Sequence, residues 1–566
     1  MNSSDYISDI LLKYDIDTVF GIVGIPIVEL AESLIAHKIK FISCRNEQSA
    51  SYAASMHGAL NGKPGVLLTV GGPGLIHSLA GIYNSMENNW PLIVITGSIE
   101  VNDQYKKGFQ ELDHISILHK YAKFTGKLTS GNIDLVFFES MRNSMIGNKG
   151  VSFIDIPGNL LHCKVETPNH TVLHQPIPLL KSSPCDDSIN SVGSILRDSI
   201  TGKDKEILIV IGEGSTEASS ELRNFVNTFN LPFLPTPMGK GIVPDSNNLN
   251  VSSARSMAIK KADIVVVIGT SLNWLLHFGD HPKWGQNSRF IEINNNSRFL
   301  GLNNSPDLRY SLYGDISITI KKLTHFLLTS GKDIKYSGVS KELNKKISSN
   351  KLRLQEKENS ITKHSNVGNT LNYNQVYAKL RSLIDDSNTI IVAEGANTMD
   401  FARISFPTDH PQQRLDCGTL ATMGIGLGYA IAAKLSKPNK NVVLIQGDSA
   451  FGFSGMELET AVRNKLGLIV IIMNNSGIYH GIERENYING DILPPTVLSE
   501  DCRYDLVGKG LGCNGYLIRT VDEVTKYFKI ALDRSRKFKE TSVLNVLIEP
   551  GNQGKLSFGW QSKPRL

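Results

Sequence analysis

Short runs of β-branched and apolar residues recur along this chain, each separated from the next by a stretch with helical spacing. The first set is VFGIV, FISC, GVLLTV and PLIVITG, with helix-like segments at 27–37 and 47–60 between the early runs. The second is ILIVIG, LPFLP and DIVVVIG, and the third TIIVAEG, NVVLIQGD and LGLIVIIMNN. Strand, helix and strand in alternation predict βαβ units, hence parallel sheets covered by helices on both faces. The expected fold class is α/β, with three doubly wound parallel-sheet domains.

A length of 566 residues agrees with that count, since one hydrophobic core rarely serves more than about 250–300 residues. Two stretches read as connections: 165–188, rich in proline, serine and histidine, and 330–372, polar and rich in lysine. The expected domains are therefore 1–165, 188–328 and 373–550, followed by a tail at 551–566.

Composition excludes several functions. The net charge of +5 comes from 59 basic and 54 acidic residues spread along the chain, with no basic block to suit a nucleic acid. No apolar run is long enough to span a bilayer, and the first residues lack the charged and apolar regions of a secretory signal. The six cysteines show no CxxC or zinc spacing and read as reduced structural thiols. The chain ends in Pro564-Arg565-Leu566, similar to the SKL peroxisomal address although proline replaces the small residue. A peroxisomal import receptor is the expected partner of this tail, and the cytoplasm is the alternative location.

The chemistry concentrates in Gly447-Asp448-Ser449-Ala450-Phe451-Gly452, which follows one apolar run, and in Asn474-Asn475, which ends the next. In a parallel sheet both lie at the carboxyl edge, where ligands bind. Mg2+ takes oxygen ligands, one or two from protein groups and the rest from phosphate and water. The small residues around Asp448 would let a diphosphate approach a helix N-terminus. Taken singly, GDS is also a strand-ending turn and NN a loop.

Together these motifs resemble the thiamine-diphosphate enzymes, whose signature is a GDG-like triplet followed by NN. The longer string GDSAFGFSGMELET is similar to 2-hydroxyacyl-CoA lyases and oxalyl-CoA decarboxylases, and similar stretches run through almost the whole chain, among them Val23-Gly24-Ile25-Pro26, Gly71-Gly72-Pro73-Gly74 and Gly418–Gly424. The resemblance implies that Asp448 and Asn475 bind Mg2+ through side chains and Gly477 through its carbonyl. It implies that Glu47, in Arg45-Asn46-Glu47-Gln48, is the carboxyl group that activates the cofactor's aminopyrimidine. A glutamate at a strand–helix junction otherwise reads as a helix-dipole charge.

The same resemblance places Thr422, Met423, Ser449 and Ala450 at the cofactor, with Met423 wedging it into a bent form. Tyr373, Asn397 and Tyr479 match positions lining cofactor or substrate. Ile25, Arg255 and Arg403 are candidates for the CoA moiety, the arginines because a guanidinium pairs bidentately with phosphate; a solvated surface arginine is the other reading. Phe109-Gln110-Glu111 stands where the decarboxylases carry Tyr-Glu-Glu, so Gln110 is expected to orient a substrate hydroxyl.

The implied reaction is cleavage of a 2-hydroxyacyl-CoA to formyl-CoA and an aldehyde one carbon shorter. Oxalyl-CoA decarboxylation is the nearest alternative, and a silent member acting as a binding protein a further one. The implied assembly is a homodimer or homotetramer, with Glu47 and Asp448 facing each other across subunits.

Overall fold

The computed structural model describes residues 1–165, 180–202, 204–331, 334–359, 363–364, 368–369, 371–483, 486–487, 492–500 and 502–551. The tail tripeptide Pro564-Arg565-Leu566 lies outside them.

Three parallel sheets account for the strands that matter. The first holds β1 (Thr18–Gly21), β2 (Lys40–Ser43), β3 (Gly65–Thr69), β4 (Leu92–Ser98), β5 (Phe124–Lys127) and β6 (Val151–Pro157) in the order β2-β1-β3-β4-β6-β5. The second holds β7 (Ile207–Ile211), β8 (Phe233–Pro235), β9 (Ile264–Ile268), β10 (Arg289–Asn294) and β11 (Ser311–Tyr313), ordered β11-β10-β9-β7-β8. A two-stranded antiparallel ribbon, β12 (Lys363–His364) and β13 (Gly368–Asn369), precedes the third sheet. That sheet runs β15-β14-β16-β17-β19-β18, from β14 (Thr389–Glu394), β15 (Arg414–Leu415), β16 (Asn441–Gly447), β17 (Ile469–Asn474), β18 (Asn514–Ile518) and β19 (Ser542–Leu547).

Chain order reverses between β1 and β3, between β7 and β9, and between β14 and β16, so each sheet is doubly wound and opens a crevice at its carboxyl edge. The central strands are apolar throughout because both faces are covered: Phe20 and Leu67 pack on one side of the first sheet, Val19 and Leu68 on the other.

The first and third domains share one core. Tyr52 and Ala53 of the helix Glu47–Asn61 pack with Tyr429 and Ala430 of the helix Gly426–Ser436 in a single buried cluster. The two helices approach closely at Gly428, where a Cβ would lie 2.8 Å from the Ser49 carbonyl oxygen. The second sheet has its own cores on its two faces.

The stretch 330–372 is more than a connection. It forms the helix Lys341–Asn359, whose Leu343 and Ile347 lie one turn apart and are buried against Val251, Ala254 and Trp284 of the central domain. All six cysteines are free thiols; Cys44, Cys417 and Cys513 are buried, and Cys163 and Cys185 are exposed. Among the described residues no helix is long and apolar enough to cross a membrane.

Candidate active site

At the reversal point of the third sheet, β16 delivers Asp448 and β17 delivers Asn475 to the same edge, the strands being paired in parallel through Gly447 and Met473. Both side chains are buried. Asp448 accepts the backbone N–H of Ser449 at 2.8 Å and that of Gly477 at 3.0 Å. Burial pushes its carboxyl up to about 6, against the pull of those amides. Asn475 donates its Nδ2 to the Tyr479 carbonyl at 3.3 Å, which leaves its amide oxygen as the atom for a cation. The turn between them is tight: Ser476 and Tyr479 both have positive φ, 55° and 64°.

Among the described residues no three His, Cys, Asp or Glu side chains cluster as a metal site. One carboxylate with neutral oxygens suits a hard cation whose remaining ligands come from a diphosphate. The buried, charge-poor setting of Asp448 therefore fits Mg2+ paired with a diphosphate.

The neighbouring strand β14 ends at Glu394, which secures the loop that carries Thr422 and Met423. Its buried carboxylate accepts the N–H groups of Gly424, Ile425 (3.0 Å) and Gly426 (2.9 Å), and the side-chain amide of Gln446. Asn397 follows on the helix Ala396–Ser405, and Tyr373 is buried beneath it, stacked on Phe401 with its hydroxyl 3.1 Å from Thr398 Oγ1. Sequence reasoning missed Glu394 because a single charge at a strand end carries no pattern; the surrounding EGANTMD string was its one signal.

Glu47 opens the helix Glu47–Asn61, which Asn46 caps by accepting the Gln48 N–H at 2.7 Å. Its carboxylate lies 3.3 Å from His77 Nδ1. The preceding loop is pinned to the third domain, because Arg45 and Asn46 donate their N–H groups to Glu457 Oε1 at 2.9 and 3.0 Å. Tyr52 on the same helix meets Thr422 Oγ1 at 2.9 Å. The structure thus links the Glu47 helix to the loop of Thr422 and Met423.

Gln110 has a φ of 57° and its backbone rests on Gly72, in the turn before the helix Pro73–Glu87 that carries His77. Glu111 turns back on its own loop, accepting the N–H groups of Tyr105 (2.5 Å) and Gly108 (2.9 Å), which hold its carboxyl below the usual range. The loop therefore offers the site a neutral amide and the exposed ring of Phe109.

Arg255 and Arg403 line one cavity of about 1210 Å³ between the central and third domains, together with Lys283 and Lys351. Ile25 is not among its walls; it stands exposed on the loop after β1. Arg403 is bound to Asp400 at 2.7 Å and Asp416 at 3.2 Å, so its charge is matched from within the protein. Arg255 is bound instead to neutral groups, the Leu275 carbonyl at 2.5 Å and His277 Nε2 at 3.3 Å.

Three domain families match in the order of the sheets: the thiamine pyrophosphate enzyme N-terminal TPP binding domain over residues 1–117, the central domain over 201–323, and the C-terminal TPP binding domain over 393–546. A 2-hydroxyacyl-CoA lyase of Saccharomyces cerevisiae is 55% identical over 566 residues, covering 100% of this chain and 99% of the relative. The chain belongs to the 2-hydroxyacyl-CoA lyase family of thiamine pyrophosphate enzymes. Within this lyase family, 2-hydroxyacyl-CoA lyase 1 of Homo sapiens is 35% identical, covering 100% of the chain and 98% of the relative. An oxalyl-CoA decarboxylase of Escherichia coli K12 is 33% identical, with 96% and 94% covered. Full-length similarity to the lyases and the thiamine pyrophosphate domains answer the expectation of family and fold.

Proposed function

We propose that this chain is a carbon–carbon lyase that cleaves a 2-hydroxyacyl-CoA to formyl-CoA and an aldehyde one carbon shorter. The observation that carries this over decarboxylation is the loop at Phe109-Gln110-Glu111. The Glu111 carboxylate is spent on its own loop amides, so the residues offered to substrate are an apolar ring and a neutral amide.

Thiamine diphosphate supplies the electron sink that breaking a bond beside a carbonyl requires. In this chain Asp448 and Asn475, with the Gly477 carbonyl, would hold Mg2+ against the diphosphate, while Ser449 and Ala450 leave room for the phosphates. Glu47 would hold a proton at its carboxyl against the aminopyrimidine. Met423, Thr422, Asn397 and Tyr479 would line the cofactor, with Tyr373 buried under the helix that carries Asn397. Gln110 would orient the 2-hydroxyl of the substrate. Arg255 would meet the phosphates of CoA, with Arg403 and Ile25 as further contacts for the CoA moiety.

A second copy of the chain completes the site in this reading. Apolar side chains stand bare around both halves of it: Ile25, Ile76 and Phe109 in the first domain, Phe453 and Met456 in the third. Exposed apolar side chains of this kind are what the interface of a homodimer or homotetramer covers. The peroxisome is the compartment in which this lyase would act, through fatty acid α-oxidation, reached by its Pro564-Arg565-Leu566 tail.

The test is incubation with thiamine diphosphate and Mg2+ and, separately, a 2-hydroxy long-chain acyl-CoA or oxalyl-CoA. Aldehyde with formyl-CoA, lost in Glu47→Ala, supports the lyase; carbon dioxide from oxalyl-CoA alone makes the chain a decarboxylase. Turnover of neither substrate by a chain that binds the cofactor leaves the silent member as the reading.

A further inference from the structure

A buried histidine lies behind the turn that separates Glu47 from Gln110. His114 Nδ1 is 3.0 Å from Asp155 Oδ1 on β6, and its Nε2 is 3.0 Å from the backbone nitrogen of Gly72. Both side chains are almost wholly enclosed, at 1% and 5% exposure. Lys127 Nζ stands 3.9 Å from the other Asp155 oxygen, and the imidazole packs edge-on to Phe153.

The direction of these bonds is fixed by chemistry. A backbone N–H can only donate, so Nε2 must present its lone pair to Gly72; the ring hydrogen then sits on Nδ1 and is given to Asp155. One neutral tautomer satisfies both partners, and the carboxylate selects it.

Gly72 is not free to take another course. Its φ of 55° and ψ of −115° suit glycine alone, and a Cβ there would lie 2.8 Å from the Gln110 carbonyl oxygen. One residue pair further on, a Cβ on Gly74 would lie 3.5 Å from Glu47 Oε1, and His77 of the same helix touches Glu47 Oε2. A displaced Gly72 thus moves the seat of Gln110 and the flank of Glu47 together.

We propose that His114, oriented by Asp155, is a positioning residue for the lyase reaction: by accepting the Gly72 N–H it holds the turn that sets Gln110 relative to Glu47. This rests on the lyase reading given above.

Three variants test it: His114→Leu removes the acceptor, Asp155→Asn keeps the shape but favours the opposite tautomer, and His114→Gln restores an acceptor, its Oε1, near the place of Nε2. The expected result is a kcat lowered at least about tenfold in His114→Leu and Asp155→Asn, with KM for the acyl-CoA changed less than about twofold and His114→Gln recovered to within about threefold of wild type. Hydrogen exchange of the full-length protein, read by mass spectrometry, gives a measurement apart from activity. The peptide spanning Gly71 to Gly74 should exchange faster in the first two variants and regain protection in His114→Gln.

Unchanged protection in His114→Leu, or faster exchange with turnover equal to wild type, overturns the proposal. Should Asp155→Asn fail to fold, the contrast of His114→Gln with His114→Leu decides. A wild-type chain that cleaves no 2-hydroxyacyl-CoA overturns the lyase reading and this inference with it. That outcome is told apart from failure of the dyad alone, in which the wild type is active and the variants match it.

Discussion

Glu457 of the third domain accepts the backbone N–H of Asn46 at 3.0 Å, one residue before the glutamate that opens the first domain's helix. The same oxygen takes the Arg45 N–H, and the other oxygen is bound by Thr460. Glu457→Ala would leave two amides without their acceptor at a partly buried junction, at a cost of about 1–3 kcal/mol. The expected outcome is a lower melting temperature and weaker thiamine diphosphate binding, read by quenching of tryptophan fluorescence.

Asp448 is the one carboxylate of the proposed Mg2+ set. Stripping the protein with EDTA should abolish turnover, and Mg2+ should restore it. Asp448→Asn should bind the metal at least roughly a hundredfold more weakly and melt below the wild type, because the amide loses the charge and turns a donor toward one of the two N–H groups that the carboxylate accepts. Isothermal titration of the apoprotein with Mg2+ and thiamine diphosphate checks both.

Stability should depend on pH through Glu292 in the central sheet. Burial pushes its carboxyl up to about 7 from 4.5, against the pull of the Gly301 N–H and the Ser305 hydroxyl. The folded chain therefore keeps a proton that the unfolded chain releases above about 4.5, so this contribution is present in acid and lost as pH rises through 7. Glu292→Gln should melt above wild type at pH 8, by on the order of 2–3 kcal/mol of stability, with the gap closing towards pH 5. Thermal melts across that range read it directly.

Arg255 presents its guanidinium to the large cavity with neutral partners, whereas Arg403 is matched by two carboxylates. Arg255→Met should therefore raise KM for the acyl-CoA about 10- to 100-fold with kcat little changed, the value of a charge-assisted bond to phosphate. Arg403→Met should lower the melting temperature as well, since it takes the cation from buried Asp400 and leaves Asp416 with Arg414 alone. Steady-state kinetics at two salt concentrations separate the effects.

Some of this could be read from residues alone because strands buried on both faces advertise themselves. The runs GVLLTV, PLIVITG, ILIVIG, DIVVVIG and NVVLIQGD became β3, β4, β7, β9 and β16. Strands with mixed character did not stand out: β10 is RFIEIN, whose Glu292 is buried, and β19 is SVLNVL, whose Asn545 is spent on the Cys502 carbonyl and on Asn474. Motifs pointed to Asp448 and Asn475, which the structure brings to one sheet edge, and to Glu47, which opens its helix. Glu394, Glu457 and His114 were not, since each works by holding a backbone elsewhere in the chain and no spacing records that.

The helix Lys341–Asn359 bears on what this protein can be asked to accept. Asn344, Lys351 and Gln355 form part of the wall of the cavity that Arg255 enters, yet they belong to none of the three sheets. Their side chains can be exchanged without disturbing a strand, Asp448, Asn475 or the Glu47 helix. The grip that we propose for this cavity on the CoA end of the substrate can thus be retuned from this one rib while the three sheets keep their strands.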